Sequence, residues 1–391
     1  MSKLNELIKE LCPDGVEYIK IKDYFKRLKG TPITAEKMKE IAKDDGKIKI
    51  FAGGKTVINA NEEDIPKANI TKIPSVLVQS RGVIDVIYYE KPFTFKNEMW
   101  AYTHENQITV KYLYYVMKKN ILYFRDCASG MGSLPQISLK VTENFKIPLP
   151  PLEVQHEIVR ILDSFTKYTA LLEKELTLRK KQYTYYRDYL LNFGDDVKRW
   201  TLGEIATFIY GFTDKAKDNG QVRYLRITDI SDDGYLLNNE KKYINITEEN
   251  KKYLVNAGDI LVARTGASYG KTLYFSDKEQ SIFASFLIKI SLDNNIILNK
   301  YYWHFSKSDL YWSQAKKLVS KGGQPQFNSG AISKIKIPVP SLEEQERIVK
   351  ILDRFDMLCN DLTNGLPAEI QARQKQYAYY RDKLLNFKKL K

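Results

Sequence analysis

A run near the middle of the chain returns near its end. Ile147-Pro148-Leu149-Pro150-Pro151-Leu152-Glu153 matches Ile337-Pro338-Val339-Pro340-Ser341-Leu342-Glu343, at an offset of 190 in the numbering. The match continues through Gln155 and Gln345, Ile158-Val159 and Ile348-Val349, Ile161-Leu162-Asp163 and Ile351-Leu352-Asp353, and Phe165 and Phe355. Lys181-Gln182-Tyr183 then matches Lys375-Gln376-Tyr377, and Tyr185-Tyr186-Arg187-Asp188 matches Tyr379-Tyr380-Arg381-Asp382. Leu190-Leu191-Asn192-Phe193 matches Leu384-Leu385-Asn386-Phe387, now at an offset of 194, so the second copy has four extra residues. A period this long is no solenoid repeat; it means a duplicated domain plus connector. The 391 residues suffice for two cores. Two copies in one chain are related as the halves of a dimer fused head to tail.

The repeat also wraps around the termini. Cys12-Pro13-Asp14-Gly15-Val16 sits where Phe193-Gly194-Asp195-Asp196-Val197 sits in the second copy, at an offset of 181. The N-terminal helix is therefore expected to dock near the end of the C-terminal one. Both connectors read as long helices. In the first, Ile158, Leu162, Phe165, Thr169, Leu172, Leu176, Arg179, Tyr183, Tyr186, Leu190 and Phe193 step alternately by four and three, a heptad seam interrupted at Thr169 and Arg179. Pro148 and Pro150-Pro151 hold the residues before it extended, and a helix can begin behind them. The second copy has Pro338 and Pro340, then Ser341 as N-cap with Glu344 three residues on. Its seam runs Ile348, Leu352, Phe355, Cys359, Leu362, Leu366, Ile370, Arg373, Tyr377, Tyr380, Leu384, Phe387, with two successive steps of four at Leu366. Four extra residues in a heptad make a stutter. Here they coincide with Asn364-Gly365-Leu366-Pro367, and Pro367 removes an amide donor and disfavours helical geometry at Leu366. The second connector is expected to be two helices, about 343–363 and 367–386.

Between the connectors lie β-rich runs such as 75–78, 84–89, 259–263 and 273–275, separated by Gly, Asn and Asp turns, with helices expected at 111–120 and 300–307. The fold expected is mixed α/β (α+β). Two globular heads are separated by two long antiparallel coiled-coil helices in a pseudo-two-fold repeat. The divisions fall at 1–147 (N-terminal helix and first head), 148–194 (first connector), 195–337 (second head) and 338–391 (second connector). The heads diverge in sequence far more than the connectors, which suggests one scaffold serving two recognition tasks.

Lys and Arg number 62 against 48 Asp and Glu, a formal charge of +14. Such a surplus favours a polyanion, because basic side chains displace the counterions condensed on phosphates. Charge alone leaves nucleic acid and an acidic membrane surface both open. The 27 tyrosines fit an AT-rich coding sequence as well as stacking or phosphate contacts. Cys12, Cys127 and Cys359 form no metal or disulfide pattern, and a reducing cytoplasm fits them. Residues 1–11 carry Glu6 and Glu10 without an unbroken apolar stretch, so no signal peptide is read there, and no run is long enough to span a membrane.

Enzymatic motifs fail on inspection. Gly266-Ala267-Ser268-Tyr269-Gly270-Lys271-Thr272 resembles a phosphate loop, but three residues separate its glycines instead of four, and strand rather than helix is expected next. Asp232-Asp233-Gly234 reads as a turn, although the carboxylates near Lys241 and Lys242 imitate a nuclease site. His104, His156 and His304 lack ligand spacing, His156 sits in a polar helical run, and no Asn-Pro-Pro-aromatic methyltransferase tetrapeptide is present.

Taken together, "IPLPPLEVQHEIVRILD", "IPVPSLEEQERIVKILD", the two "YYRD" helix ends, the opening "ELCPDGVEY" and "GDILVARTGASYGK" at 258–271 resemble the specificity subunits of type I restriction-modification systems over nearly the whole chain. The resemblance implies two target-recognition domains, each reading half of a bipartite, asymmetric site on double-stranded DNA, with the helices setting the unread spacer. It implies partners: two methyltransferase subunits that bind their own S-adenosylmethionine, and motor-nuclease subunits that can join. The chain itself would be non-catalytic, cytoplasmic and without cofactor or metal. A stand-alone two-headed DNA-binding regulator, or an enzyme with unrecognised motifs, is the alternative.

Candidate DNA contacts follow the strand ends. Arg81, next to Ser80, follows a strand in the first head, where Lys55 is a further candidate; Arg264 has a similar place in the second, with Thr265, Ser268, Tyr269 and Lys271 in the following turn. Arg suits bidentate contact to guanine or phosphate. It equally suits a structural salt bridge, and both readings stand at this point. Gly130, Met131, Gly132 and Ser133 with Gln136, and Gly322, Gly323 and Gln324 with Gln326 and Asn328, form matching loops before each connector, each with a Pro-Gln pair. Gly permits close backbone approach and Gln or Asn can pair with adenine, although a plain flexible loop has the same composition.

Overall fold

The computed structural model describes residues 2–54, 56–65, 67–130, 134–320, 323–361 and 363–390. Each head groups with the strut segments packed on it. Met1–Leu171 with Gln371–Lys391 forms one compact unit and Leu172–Ile370 the other.

The first strut is a single helix, Leu152–Leu190, beginning directly behind Pro150-Pro151. Its seam is the buried stripe: Ile158 and Leu162 are fully enclosed, and Leu172 and Tyr183 nearly so. Burying each such side chain contributes about 1.5–3 kcal/mol. In the first unit Phe165 stacks on Tyr380 at 5.4 Å, and Tyr168 lies under the Arg373 guanidinium at 5.2 Å. In the second, Tyr186 stacks on Phe355 at 5.5 Å while Leu172 clusters with Leu366 and Ile370. Rising numbers on one helix meet falling numbers on the other, so the pairing is antiparallel within each unit.

The second strut is broken where the sequence places the break, into Leu342–Asn360 and Leu366–Leu384. Leu362 of its seam lies outside the described residues. Ser341 caps the first piece, its hydroxyl accepting from the Glu344 amide at 3.3 Å, a bond worth about 1 kcal/mol. Asp361 turns the chain by accepting from the Thr363 amide at 2.7 Å and the Asn364 amide at 3.2 Å. A Cβ on Gly365 would lie 2.5 Å from the Met357 carbonyl oxygen, so only glycine fits this turn. Contrary to the expectation drawn from Pro367, Leu366 is helical. The Gly365 carbonyl accepts from the Glu369 amide at 3.2 Å, which leaves Pro367 in the first turn. Amides there have no intrahelical partner, so a proline costs no hydrogen bond. Burial of Leu366 against Leu172 and Ile370 offsets the steric bias against helix before proline.

The heads share a fold that their sequences conceal. The first has a sheet ordered Lys26–Lys29, Trp100–Thr103, Ser75–Gln79, Asp85–Tyr89; the second has Ala206–Tyr210, Leu287–Leu292, Ile260–Ala263, Thr272–Tyr274 in the same order, all antiparallel. A second sheet in each contains one parallel pair, Ile48–Phe51 with Phe93–Phe95 and Val222–Leu225 with Ser281–Phe283. Phe51, Leu77, Phe93 and Phe95 form one small core in the first head; Leu225, Leu261, Phe283 and Leu287 form its counterpart in the second. Different apolar side chains of suitable volume can fill one frame, which is how the fold persists while sequence drifts. A two-stranded ladder closes each head, Glu17–Lys20 on Lys146–Leu149 and Arg199–Thr201 on Lys336–Pro338, and its second strand leads into a strut.

The termini of the first unit meet as expected. The Val16 amide donates to the Lys388 carbonyl and the Leu390 amide to the Val16 carbonyl, both at 2.9 Å. Leu4 and Cys12 of the N-terminal helix region share a core with Leu384 and Leu385. No helix among the described residues is long and apolar enough to cross a membrane.

Candidate nucleic-acid interface

In each head the loop before the strut is tied to the end of the central strand by the same hydrogen bonds. In the first, the Ile137 amide donates to the Ser80 carbonyl at 2.9 Å and the Gly82 amide to the Pro135 carbonyl at 2.8 Å. In the second, the Phe327 amide donates to the Arg264 carbonyl at 2.7 Å and the Gly266 amide to the Pro325 carbonyl at 3.1 Å. Gln136 bridges Arg81 and Ser129; Gln326 bridges Thr265 and Ser320. Gly82 and Gly266 both turn through positive φ, 78° and 68°, a conformation that side chains disfavour. The loops that match in sequence are thus a repeated main-chain knot.

This register corrects one sequence reading. Arg81 and Arg264 do not occupy equivalent places: the hydrogen bonds pair Ser80 with Arg264 and Arg81 with Thr265. Successive side chains on an extended strand alternate faces, so a one-residue offset changes what each arginine can reach. Arg81 is exposed and its side chain has no hydrogen-bond or ion-pair partner among the described residues. It borders a cleft of about 690 Å³ lined by Met38, Gly53, Gly54, Val83 and Leu134. Arg264 donates through Nε to the Ser285 carbonyl at 2.8 Å. Its guanidinium lies 5.3 Å from the Tyr210 ring and 5.5 Å from the Phe286 ring. Among the described residues neither arginine makes the structural salt bridge that its sequence context also allowed. Stacking holds the guanidinium of Arg264 and leaves its terminal nitrogens available, a preorganised donor fork.

Other side chains at the knot are committed to the fold. The Ser80 hydroxyl is buried on the Glu98 carbonyl. Thr265 is buried, and its hydroxyl receives the Gln326 amide nitrogen at 2.8 Å, so that glutamine is spent on its neighbour rather than presented to a base. Asn328 caps the short helix Ser329–Ile332 by accepting from the Ala331 amide at 2.9 Å. Tyr269 packs edge-on against Trp312 and Phe327. Lys271, a candidate DNA contact beside Arg264 in the turn, pairs with Asp232 at 2.5 Å. That ion pair holds Asp232 below the usual carboxylate range. Ser268 ends a single helical turn, and strand Thr272–Tyr274 follows, so the phosphate-loop geometry is absent. Gly130, Gln136, Gly323 and Gln324 remain exposed at the loop tips. Lys55, Met131, Gly132, Ser133 and Gly322 lie outside the described residues.

The sequence reading missed Tyr210 and Phe286, 40% and 51% exposed, which hold Arg264 between them. The available signal was faint: Ile209 and Tyr210 break the in-out alternation at the end of an edge strand. Among the described residues no group of His, Cys, Asp and Glu is placed to hold a metal ion.

The family model for the type I restriction modification DNA specificity domain matches twice, over residues 13–179 and 194–372. The specificity subunit of the type I restriction enzyme EcoR124I/EcoR124II of Escherichia coli is 36% identical over 302 residues, covering 73% of this chain and 72% of that one. Among solved structures, the S subunit of a type I restriction-modification system from M. genitalium superposes with a TM-score of 0.62 at 17% identity, covering 95% and 96% of the two chains. A chain from a structure of type I R-M complex assembly and conformational transition gives 0.53 at 14% identity, covering 96% and 98%. These structural likenesses concern the fold.

Proposed function

Because this chain belongs to the type I restriction-modification DNA specificity family, we propose that it directs a multisubunit enzyme to its DNA, each head reading one half of a bipartite, asymmetric site. The observation that carries this reading is the repeated knot with different furnishings. One frame presents Arg81 beside an apolar cleft in one head and a ring-stacked Arg264 in the other. Two readers of one design can then recognise unlike sequences. The +14 charge supplies the sequence-independent attraction to phosphates. The struts set the spacer: the 39 residues of Leu152–Leu190 extend about 58 Å at ~1.5 Å per residue, which bounds the separation of half-site centres near ~17 base pairs.

Two methyltransferase subunits are the partners this arrangement suits, with motor-nuclease subunits joining them. The strut surface repeats where the heads do not, and it exposes matching aromatic side chains: Tyr185 and its counterpart Tyr379 are 64% and 61% exposed. Exposed tyrosines are common anchors of protein interfaces, and a repeated patch suits two copies of one partner.

The test is methyl transfer from S-adenosylmethionine to DNA. The chain alone is expected to bind DNA and change no covalent bond; with its methyltransferase partner, methylation at a bipartite motif is expected. Turnover by the rigorously purified chain alone would defeat the reading. Arg81→Ala and Arg264→Ala are each expected to weaken discrimination at one half-site by about 1–3 kcal/mol. Binding isotherms on sites altered in one half at a time check this, and unchanged isotherms for both variants would remove the arginines from the interface.

A further inference from the structure

Each strut carries an aspartate in its "ILD" run, Asp163 and Asp353, at matching places in the two copies of the repeat. Each receives two donors from a single helix of its own head. In the first unit, Lys111 Nζ lies 2.7 Å from one carboxylate oxygen of Asp163 and the Tyr115 hydroxyl donates to the other at 2.5 Å. In the second, Lys300 Nζ lies 3.0 Å and 3.2 Å from the two oxygens of Asp353, and His304 Nε2 lies 2.8 Å from the first. Lys111 and Lys300 are related by an offset of 189, and so are Tyr115 and His304. The heads have drifted almost everywhere else, yet at these places both keep a lysine and, four positions on, a ring that can donate. A spacing of four sets both donors on one helix face.

The surroundings leave each clasp little freedom. Tyr115 and His304 are almost wholly buried, and so are Leu162 and Leu352 just before the aspartates. The Asp353 carboxylate can only accept, so His304 carries its ring proton on Nε2, and Nδ1 faces the Tyr183 hydroxyl at 3.2 Å. Burial lowers the His304 pKa to about 4, so the ring bonds as the neutral tautomer. The second unit adds a further tie. Gln345 accepts from the Leu298 amide at 2.9 Å and donates to the Ile296 carbonyl at 2.9 Å, both in the head. Its counterpart Gln155 donates to the Pro150 carbonyl at 2.7 Å, and its side-chain oxygen is buried without a partner among the described residues.

Apolar contact resists separation but tolerates sliding. A carboxylate held by two directional donors resists rotation as well. We propose that Asp163 and Asp353 are positioning residues that fix the orientation of each head on its strut and thereby restrict the spacer lengths that the chain accepts. This rests on the half-site reading proposed above.

The experiment uses the full chain assembled with its methyltransferase partner, acting on a DNA library with constant half-sites and a spacer varied one base pair at a time. Asn has the shape of Asp and keeps an acceptor oxygen, so Asp163→Asn, Asp353→Asn and the double variant are expected to retain the wild-type circular dichroism. In the double variant the bases read in both halves should stay the same, while the preference for the native spacer over its neighbours falls about tenfold. Tyr115→His, which copies the second clasp into the first, should keep the native profile. An unchanged spacer profile in the double variant overturns the proposal. Loss of the bases read by either head overturns it too, because the aspartate would then be acting on the reading surface. A wild-type complex that specifies no bipartite site overturns the underlying function instead, whatever the variants do.

Discussion

Replacing residues 16–146 with the corresponding head of a relative is expected to change one half of the recognised site and leave the other intact. Three features make the exchange physically reasonable. The head joins its strut through a ladder, Glu17–Lys20 on Lys146–Leu149, whose hydrogen bonds are main-chain and therefore indifferent to side-chain identity. The Val16 link to Lys388 and Leu390 is likewise made by backbone atoms. The remaining joint is an apolar face on which Val110, Leu113 and Val116 share a core with Ile158 and Leu162, together with a lysine and a donating ring for Asp163. A relative that carries these should seat without strain. Methylation at the original half-site should then fall by roughly 10³-fold or more, the usual margin between specific and non-specific DNA binding. Sequencing of methylated bases in a strain carrying the chimera checks this directly. Changes in both halves would mean that the heads do not read independently.

The contrast between struts and heads also explains what the sequence made legible. A heptad seam is local: each step places a side chain on one stripe, so the helices and the break at Gly365 follow from spacing and from the chemistry of Gly and Pro, while their antiparallel sense follows from the two-fold repeat. The common frame of the heads was hidden, because a sheet core constrains volume and alternation more than identity. At the candidate interface, the repeated Pro-Gln loops could be found from sequence. Which of their side chains are free could not. Gln326 seemed open to a base until Thr265 was brought under it from far along the chain. Lys271 seemed poised for phosphate until Asp232 met it across the fold. The one-residue offset between Arg81 and Arg264 is visible only in the hydrogen-bond register, since the flanking sequences offer no gap to mark it.

Deleting residues 364–367 is expected to convert the broken strut into one helix and to change the accepted spacer without changing either half-site. The deletion removes the glycine that permits the turn and the proline in the first turn of the second helix. It also repairs the seam. Ile370 then follows Leu362 by four positions, and Arg373, Tyr377, Tyr380, Leu384 and Phe387 continue in alternating threes and fours, the rhythm of the first strut from Leu172 to Phe193. Asp361, whose side chain caps the turn through Thr363 and Asn364, loses one of those partners and the turn with it. Propensity, capping and periodicity then all favour continuity, and agreement among them is what specifies a structure. Leu366 leaves the cluster with Leu172 and Ile370, which costs about 2–5 kcal/mol if nothing replaces it. Ile370 moves into the seam position beside Leu172, and that replacement should recover part of the loss. Of the four deleted residues Leu366 and Pro367 are helical, and two helical residues correspond to ~3 Å, about one base pair at ~3.4 Å. The preferred spacer is therefore expected to shift by about one base pair, on the order of that displacement. Helical content measured by circular dichroism should rise, and the library with constant half-sites and variable spacer reads the shift. A deletion chain that gains helix but keeps the native spacer would show that strut length is not what sets the distance between half-sites.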